Sequence, residues 1–108
     1  MNALIRKLIP VHRRAAIVHR LKSLYAFFYI DDLNKLALIH GSDKWGGHWY
    51  TQHYDFHFNK IRERKLKILE IGVGGYDTPY LGGSSLRMWK SYFRHSQITS
   101  LDIIDKTP

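Results

Sequence analysis

The sequence predicts an α/β fold: N-terminal helices followed by the first βαβ unit of a parallel sheet. Three observations carry that expectation. Leu66, Ile68, Leu69 and Ile71 form a short apolar run that stops at Gly72, and a run of that kind is typical of a parallel strand covered on both faces. Beyond it come a glycine-rich loop, a stretch with helical spacing and a second apolar run at residues 98–104. Strand, glycine loop, helix and strand in that order make one βαβ unit. Ahead of the unit, apolar residues recur at steps of three and four, the spacing of amphipathic helices.

Taken in order, Leu4, Ile5 and Leu8, then Ile17, Leu21, Leu24 and Phe28, give residues 3–30 a helical stripe, and Pro10 divides this zone or starts a new helix. Leu33, Leu36 and Ala37 predict a short helix over residues 32–40, capped by Asp31 or Asp32 and stopped by Gly41. Residues 41–48 read as a loop. From Tyr50 onward, Tyr54, His57, Phe58 and Ile61 share a helical face that ends in Arg62, Glu63, Arg64 and Lys65. After the first strand, a long loop spans residues 73–83. Ser84 or Ser85 then caps a helix that buries Leu86, Trp89, Tyr92 and Phe93 and turns Arg87, Lys90 and Arg94 to water. The second strand carries Asp102.

Composition narrows the classes. A chain of 108 residues is one domain or part of one, and its apolar content supports a core. It has no cysteine, which excludes disulfide staples and thiolate metal sites and fits a reducing, cytoplasmic setting. No run is long enough to span a membrane. The formal net charge is +8, and residues 1–30 hold Arg6, Lys7, Arg13, Arg14, Arg20 and Lys22 with no acidic residue. A basic end of this kind faces phosphate, anionic lipid or an acidic protein, or is simply a solvated helix face. Of the seven histidines, His53 and His57 share a helical spacing near His48, compatible with a metal. No fourth ligand stands out, and packed or surface histidine is the plainer reading. Lys44 and Arg87 read as surface or helix-flank charges.

The segment Leu69-Glu70-Ile71-Gly72-Val73-Gly74-Gly75 lies at a strand end, where open α/β sheets bind ligands. Glycines let the backbone pass close to a ligand, and exposed N–H groups in such a turn suit carboxylate or phosphate. Asp102, at the end of the next strand, is placed to accept hydrogen bonds from a ribose diol. A dinucleotide fingerprint needs a third glycine at position 77, which is Asp77, and the following helix is delayed. Both points disfavour NAD and leave another nucleoside-bearing ligand, or a tight strand-to-loop turn that holds no ligand, which Asp102 in the next strand disfavours.

Residues 69–75 resemble motif I of class I S-adenosylmethionine methyltransferases, and Leu101-Asp102 resembles the acidic motif that follows it. Gly41-Ser42-Asp43-Lys44, His48-Trp49-Tyr50-Thr51, residues 70–76, residues 82–90 and residues 102–106 resemble the macrolide-type sugar O-methyltransferases, such as the mycinamicin and tetracenomycin tailoring enzymes. The likeness covers residues 33–106. It implies a Rossmann-like class I methyltransferase fold in which residues 33–108 form an incomplete S-adenosylmethionine-binding domain behind a basic helical leader, residues 1–32.

The resemblance also implies site roles. Glu70, Gly72, Gly74 and Gly75, with Ile71 and Val73 as neighbours, lie against the methionine part of S-adenosylmethionine, and Glu70 holds its ammonium directly or through water. Asp102 binds the ribose hydroxyls, Ser84 reaches the carboxylate, and Ser42 either adds a cofactor contact or caps a helix. Family members use Mg2+ to orient sugar hydroxyls and a histidine as base, and neither has a match in this chain. The expected acceptor is a small molecule, a glycosylated metabolite or saccharide, with homo-oligomers possible and nucleic acid disfavoured. The isolated chain is expected to lack transferase activity, which turnover of a labelled methyl donor would refute. Two rival readings follow from the residues: a basic helical module for nucleic acid or an anionic surface, marked by binding that weakens steeply with salt, and an inactive truncated gene product.

Overall fold

The computed structural model describes residues 8–74 and 82–103. The element order is α1 (Val11–Ala26), a 3-10 turn (Phe27–Tyr29), α2 (Leu33–His40), α3 (Thr51–Phe58), a second 3-10 turn (Asn59–Ile61), β1 (Lys67–Ile71), α4 (Ser84–Tyr92) and β2 (Gln97–Leu101). The two strands pair in parallel, Lys67 against Gln97 through Ile71 against Leu101, and α4 forms the crossover between them. The expected βαβ unit is present.

Local signals set several boundaries. Pro10 directly precedes α1. Asp32 caps α2, its carboxylate accepting from the Lys35 N–H at 2.9 Å, and Gly41 ends the helix in a left-handed conformation, φ 72°. α4 is different. Its capping position is Gly83, with φ 71° and no side-chain cap. Neither Ser84 nor Ser85 caps the helix; both lie inside its first turn. The Ser84 hydroxyl instead accepts from Arg87 at 3.2 Å. The second strand ends at Leu101, so Asp102 follows β2 rather than lying within it.

One core joins the helices to one sheet face. Ala26, Leu33, Leu36, Ala37, Met88, Trp89, Tyr92 and Phe93 are buried together, with Tyr54, Phe58, Ile61, Ile68 and Ile98 packed against them. Trp89 is its hub, meeting Tyr54 edge-on at 5.2 Å and Phe93 at 5.7 Å, distances at which aromatic pairs attract beyond their burial. The Tyr92 hydroxyl donates to the Asp55 carboxylate at 2.7 Å. Burial first, and that bond second, push the Tyr92 phenol well above its ordinary range. Ser96 is buried at the foot of the sheet: its hydroxyl accepts from the Leu66 N–H and donates to the Arg64 carbonyl.

Four packing expectations are corrected. Ile17, Leu21, Leu24 and Phe28 are exposed; α1 meets the body through His19, Lys22 and Ala26, where a small residue allows close approach. On α3, Tyr54 and Phe58 turn inward, but His57 is exposed. Arg87 is half-buried rather than solvated, since the α4 face next to the glycine bend is itself covered. The sheet is covered on one face only among the described residues: Leu69, Ile71 and Leu101 on the other face are 55%, 79% and 57% exposed.

Candidate functional site

β1 delivers the chain to a bend that only glycine accommodates easily. Gly72 and Gly74 have φ of 80° and 73°, where a Cβ would clash with its own backbone. The bend is fixed on both sides. The Gly72 N–H extends the sheet pairing to the Leu101 carbonyl at 2.7 Å, and the Val73 carbonyl accepts from the Gly83 N–H at 2.8 Å. The Val73 N–H donates to the Asp102 carboxylate at 2.9 Å. Val73 is thus buried between the end of β2 and the start of α4. The two points expected to converge, the bend after Ile71 and the carboxylate of Asp102, are joined by a hydrogen bond.

Gly82 explains why the returning loop lies so close. A Cβ on it would sit 2.3 Å from the Gly74 carbonyl oxygen and 2.8 Å from that of Val73. Arg87 braces the same corner, donating to the Gly82 carbonyl at 3.3 Å and to Ser84; burial lowers its pKa from the usual guanidinium value. Nearby, His40 is buried with its ring Nε2 2.9 Å from the Ser91 hydroxyl. Burial, then the charges of Arg87, Lys22 and His19, lower its pKa to about 4. His40 is therefore a neutral packed histidine. Among the described residues no group of three or more His, Cys, Asp or Glu is placed to hold a metal ion, so His48, His53 and His57 form no such centre.

Glu70 points to the helix-covered side of β1. Its Oε1 lies 3.7 Å from Lys44 Nζ, and the side chains are 11% and 20% exposed. Its Oε2 is buried without a hydrogen-bond partner, and a buried carboxylate oxygen left so is costly unless a donor reaches it. An ammonium group fits that need. The place of Lys44 in the sequence suggests a surface charge, but the structure puts it against the strand end. The signal that would have found it is Glu70 itself, since a carboxylate within an apolar strand needs a partner.

The loop after α2 positions Lys44. The Ser42 N–H bonds the Ala37 carbonyl, and the Lys44 carbonyl accepts from the N–H groups of Tyr50 and Thr51. Ser42 is buried and its hydroxyl accepts from the Lys44 N–H at 3.4 Å, so it shapes the loop after the helix and does not cap a helix start. Two open clefts meet here. One, about 430 Å3, is bordered by Ser42, Lys44, Gly72, Val73, Gly74 and Ser84. The other, about 460 Å3, runs beneath Glu70, Ile71 and Gly72 along Tyr54, Phe58 and Trp89. Lys44 and Gly72 border both, and no residue of α1 borders either. Of the residues singled out from the sequence, Ser42, Glu70, Ile71, Gly72, Val73, Gly74 and Ser84 share these clefts. The side chain of Ile71 lies on the bare sheet face. Asp102 adjoins the bend through Val73. Gly75 lies outside the described residues.

No family model matches the chain. It is 55% identical over 78 residues to 8-demethyl-8-alpha-L-rhamnosyl tetracenomycin-C 2'-O-methyltransferase of Streptomyces olivaceus, covering 72% of this chain and 21% of that protein. It is 52% identical over 77 residues to mycinamicin VI 2''-O-methyltransferase of Micromonospora griseorubida, covering 70% of this chain and 19% of that protein. Among solved structures it resembles the MycE methyltransferase in complex with Mg and SAH, with a TM-score of 0.66 and 53% identity over 69% of this chain and 19% of that one. It resembles equally a complex that also holds mycinamycin VI. The chain spans about a fifth of the length of these relatives. In sequence and in fold it is a homologue of one segment of the sugar O-methyltransferases of macrolide and tetracenomycin pathways.

Proposed function

We propose that this chain forms the S-adenosylmethionine-binding part of an O-methyltransferase that acts on a sugar hydroxyl of a glycosylated metabolite. The observation that carries the reading is the bond between the Val73 N–H and the Asp102 carboxylate, which sets a carboxylate able to accept from a diol beside the glycine bend. In this reading the buried Glu70 carboxylate takes the ammonium of the cofactor. The backbone of Gly72 and Gly74 lies against its methionine part, Ser84 reaches its carboxylate, and Asp102 takes the ribose hydroxyls. Ser42 holds the loop that closes the cleft, and Ile71 and Val73 set the bend. Gly75 belongs to the same motif. Residues 33–108 act as the cofactor-binding unit, with residues 1–32 as a basic leader.

The cofactor, when bound, supplies a methyl group on an already activated sulfonium, and the protein's part in such an in-line displacement is chiefly alignment. The solved relatives hold Mg, and no residue described here is assigned to that ion. No described helix is long and apolar enough to cross a membrane; a cysteine-free chain suits a reducing cytoplasm. The bare sheet face is a surface that homo-oligomerisation would cover.

Calorimetry with S-adenosylhomocysteine tests the reading. The wild-type chain should bind. Asp102→Ala should bind about 10- to 100-fold more weakly, the worth of a charge-assisted hydrogen bond or two. Asp102→Asn, which keeps an acceptor for the Val73 N–H, separates loss of the diol contact from collapse of the bend. Equal affinity for all three proteins removes Asp102 from the site. A wild-type chain that ignores the nucleoside but binds DNA with steep salt dependence would instead be a basic binding module.

A further inference from the structure

We propose that Lys44 recognises the carboxylate at the amino-acid end of the nucleoside ligand, so that Lys44 and Glu70 together form a receptor for an α-amino-acid zwitterion. The inference rests on the nucleoside reading above and adds to it a residue from outside the βαβ unit. Three observations support it. Lys44 Nζ approaches Glu70 only to 3.7 Å, longer than a direct charged hydrogen bond, and an ammonium has three donors to place. Lys44 borders both clefts that meet at Gly72, so its reach is not confined to the pocket beneath Glu70. Glu70 Oε2, in turn, is buried and unsatisfied.

A carboxylate and an ammonium side by side, both mostly shielded from water, complement a ligand group that carries the opposite pair. An α-amino acid is such a group, with its two charges held on adjacent carbons. The ligand ammonium satisfies Glu70, and the ligand carboxylate takes donors that Lys44 does not spend on Glu70. Each new contact is strengthened by its partial burial, and neither charge is left uncompensated. Ser84 borders one of the two clefts that Lys44 borders and shares the carboxylate. Lys44 itself is held in place by its backbone, whose carbonyl accepts from two successive N–H groups at the start of α3.

The test uses two ligands that differ in one group: S-adenosylhomocysteine, and S-adenosyl-3-thiopropylamine, which lacks only the carboxylate. Both are titrated by calorimetry into the 108-residue chain, Lys44→Met and Lys44→Arg, with circular dichroism to verify folding. Wild type should prefer S-adenosylhomocysteine by about 10- to 100-fold. In Lys44→Met that preference should collapse toward unity while affinity for the amine changes little, and Lys44→Arg should restore most of it. An unchanged preference in Lys44→Met overturns the assignment, as does a wild-type chain that binds both ligands equally, a result that needs no variant. Binding of neither ligand by wild type overturns the nucleoside reading itself, which is a distinct outcome.

Discussion

Replacing Gly82 with alanine tests how tightly the loop is drawn against the glycine bend. Gly82 has φ of 90°, and an added Cβ would lie 2.3 Å from the Gly74 carbonyl oxygen and 2.8 Å from both the Gly74 carbon and the Val73 oxygen. These are backbone atoms, so no side-chain rotation relieves the overlap. The left-handed conformation alone costs a non-glycine residue about 1–2 kcal/mol. Relieving the clash must also move residues 73–74, which weakens the Gly83 N–H bond to Val73 or the Val73 N–H bond to Asp102, about 1–3 kcal/mol more. Gly46→Ala is the matched control: its φ is 87°, and a Cβ there meets nothing within 4 Å. Comparing the two variants cancels the conformational term. Gly82→Ala should therefore melt roughly 5–20 °C below Gly46→Ala in a thermal scan followed by circular dichroism, and should lose S-adenosylhomocysteine binding while Gly46→Ala keeps it. Equal melting temperatures would mean that the loop is not packed on the bend, and the account of Gly82 would fail.

Other outcomes follow from single residues. His40 has a folded pKa of about 4 against 6.5 for the free side chain. It favours the fold while neutral, so its stabilisation is present above pH 6.5 and is lost as pH falls from 6.5 toward 4; urea melts across that window should show a loss of the order of 1–3 kcal/mol, flattened in His40→Gln. Tyr92→Phe removes the hydroxyl that donates to Asp55 and should cost about 1 kcal/mol in the same assay; no change would make that bond incidental. Met88→Ala empties a fully buried position and should cost about 2–5 kcal/mol. Leu101→Thr, on the bare sheet face, should change stability by no more than about 0.5 kcal/mol yet reduce self-association in light scattering. A large loss of stability would show that Leu101 is packed within the chain.

Much of the architecture was legible in local signals. The apolar run ending at Gly72, the delayed helix and the second apolar run define a βαβ unit because each element advertises its own periodicity. Asp32 and Gly41 act on neighbours three or four residues away, and both were readable. The residues at the bend were legible for the same reason, since a strand end rich in glycine has few structural alternatives. α4 starts without the expected serine cap because Gly83, already left-handed, ends the preceding loop and leaves Ser84 inside the first turn.

What the chain order alone determined, then, is the identity of the elements and the position of the bend, both consequences of backbone preferences within a few residues. Which charges face inward depends on contacts between distant segments, and only the tertiary structure decided it. Lys44 reaches Glu70 across 26 positions of sequence because the loop after α2 folds against the strand end, and Arg87 turns toward Gly82 because the loop is pressed onto the bend. Periodicity also names an apolar face of α1 without saying whether anything covers it. Ile17, Leu21 and Leu24 are exposed because, within the described residues, the side of α1 that meets the body is the one with His19, Lys22 and Ala26.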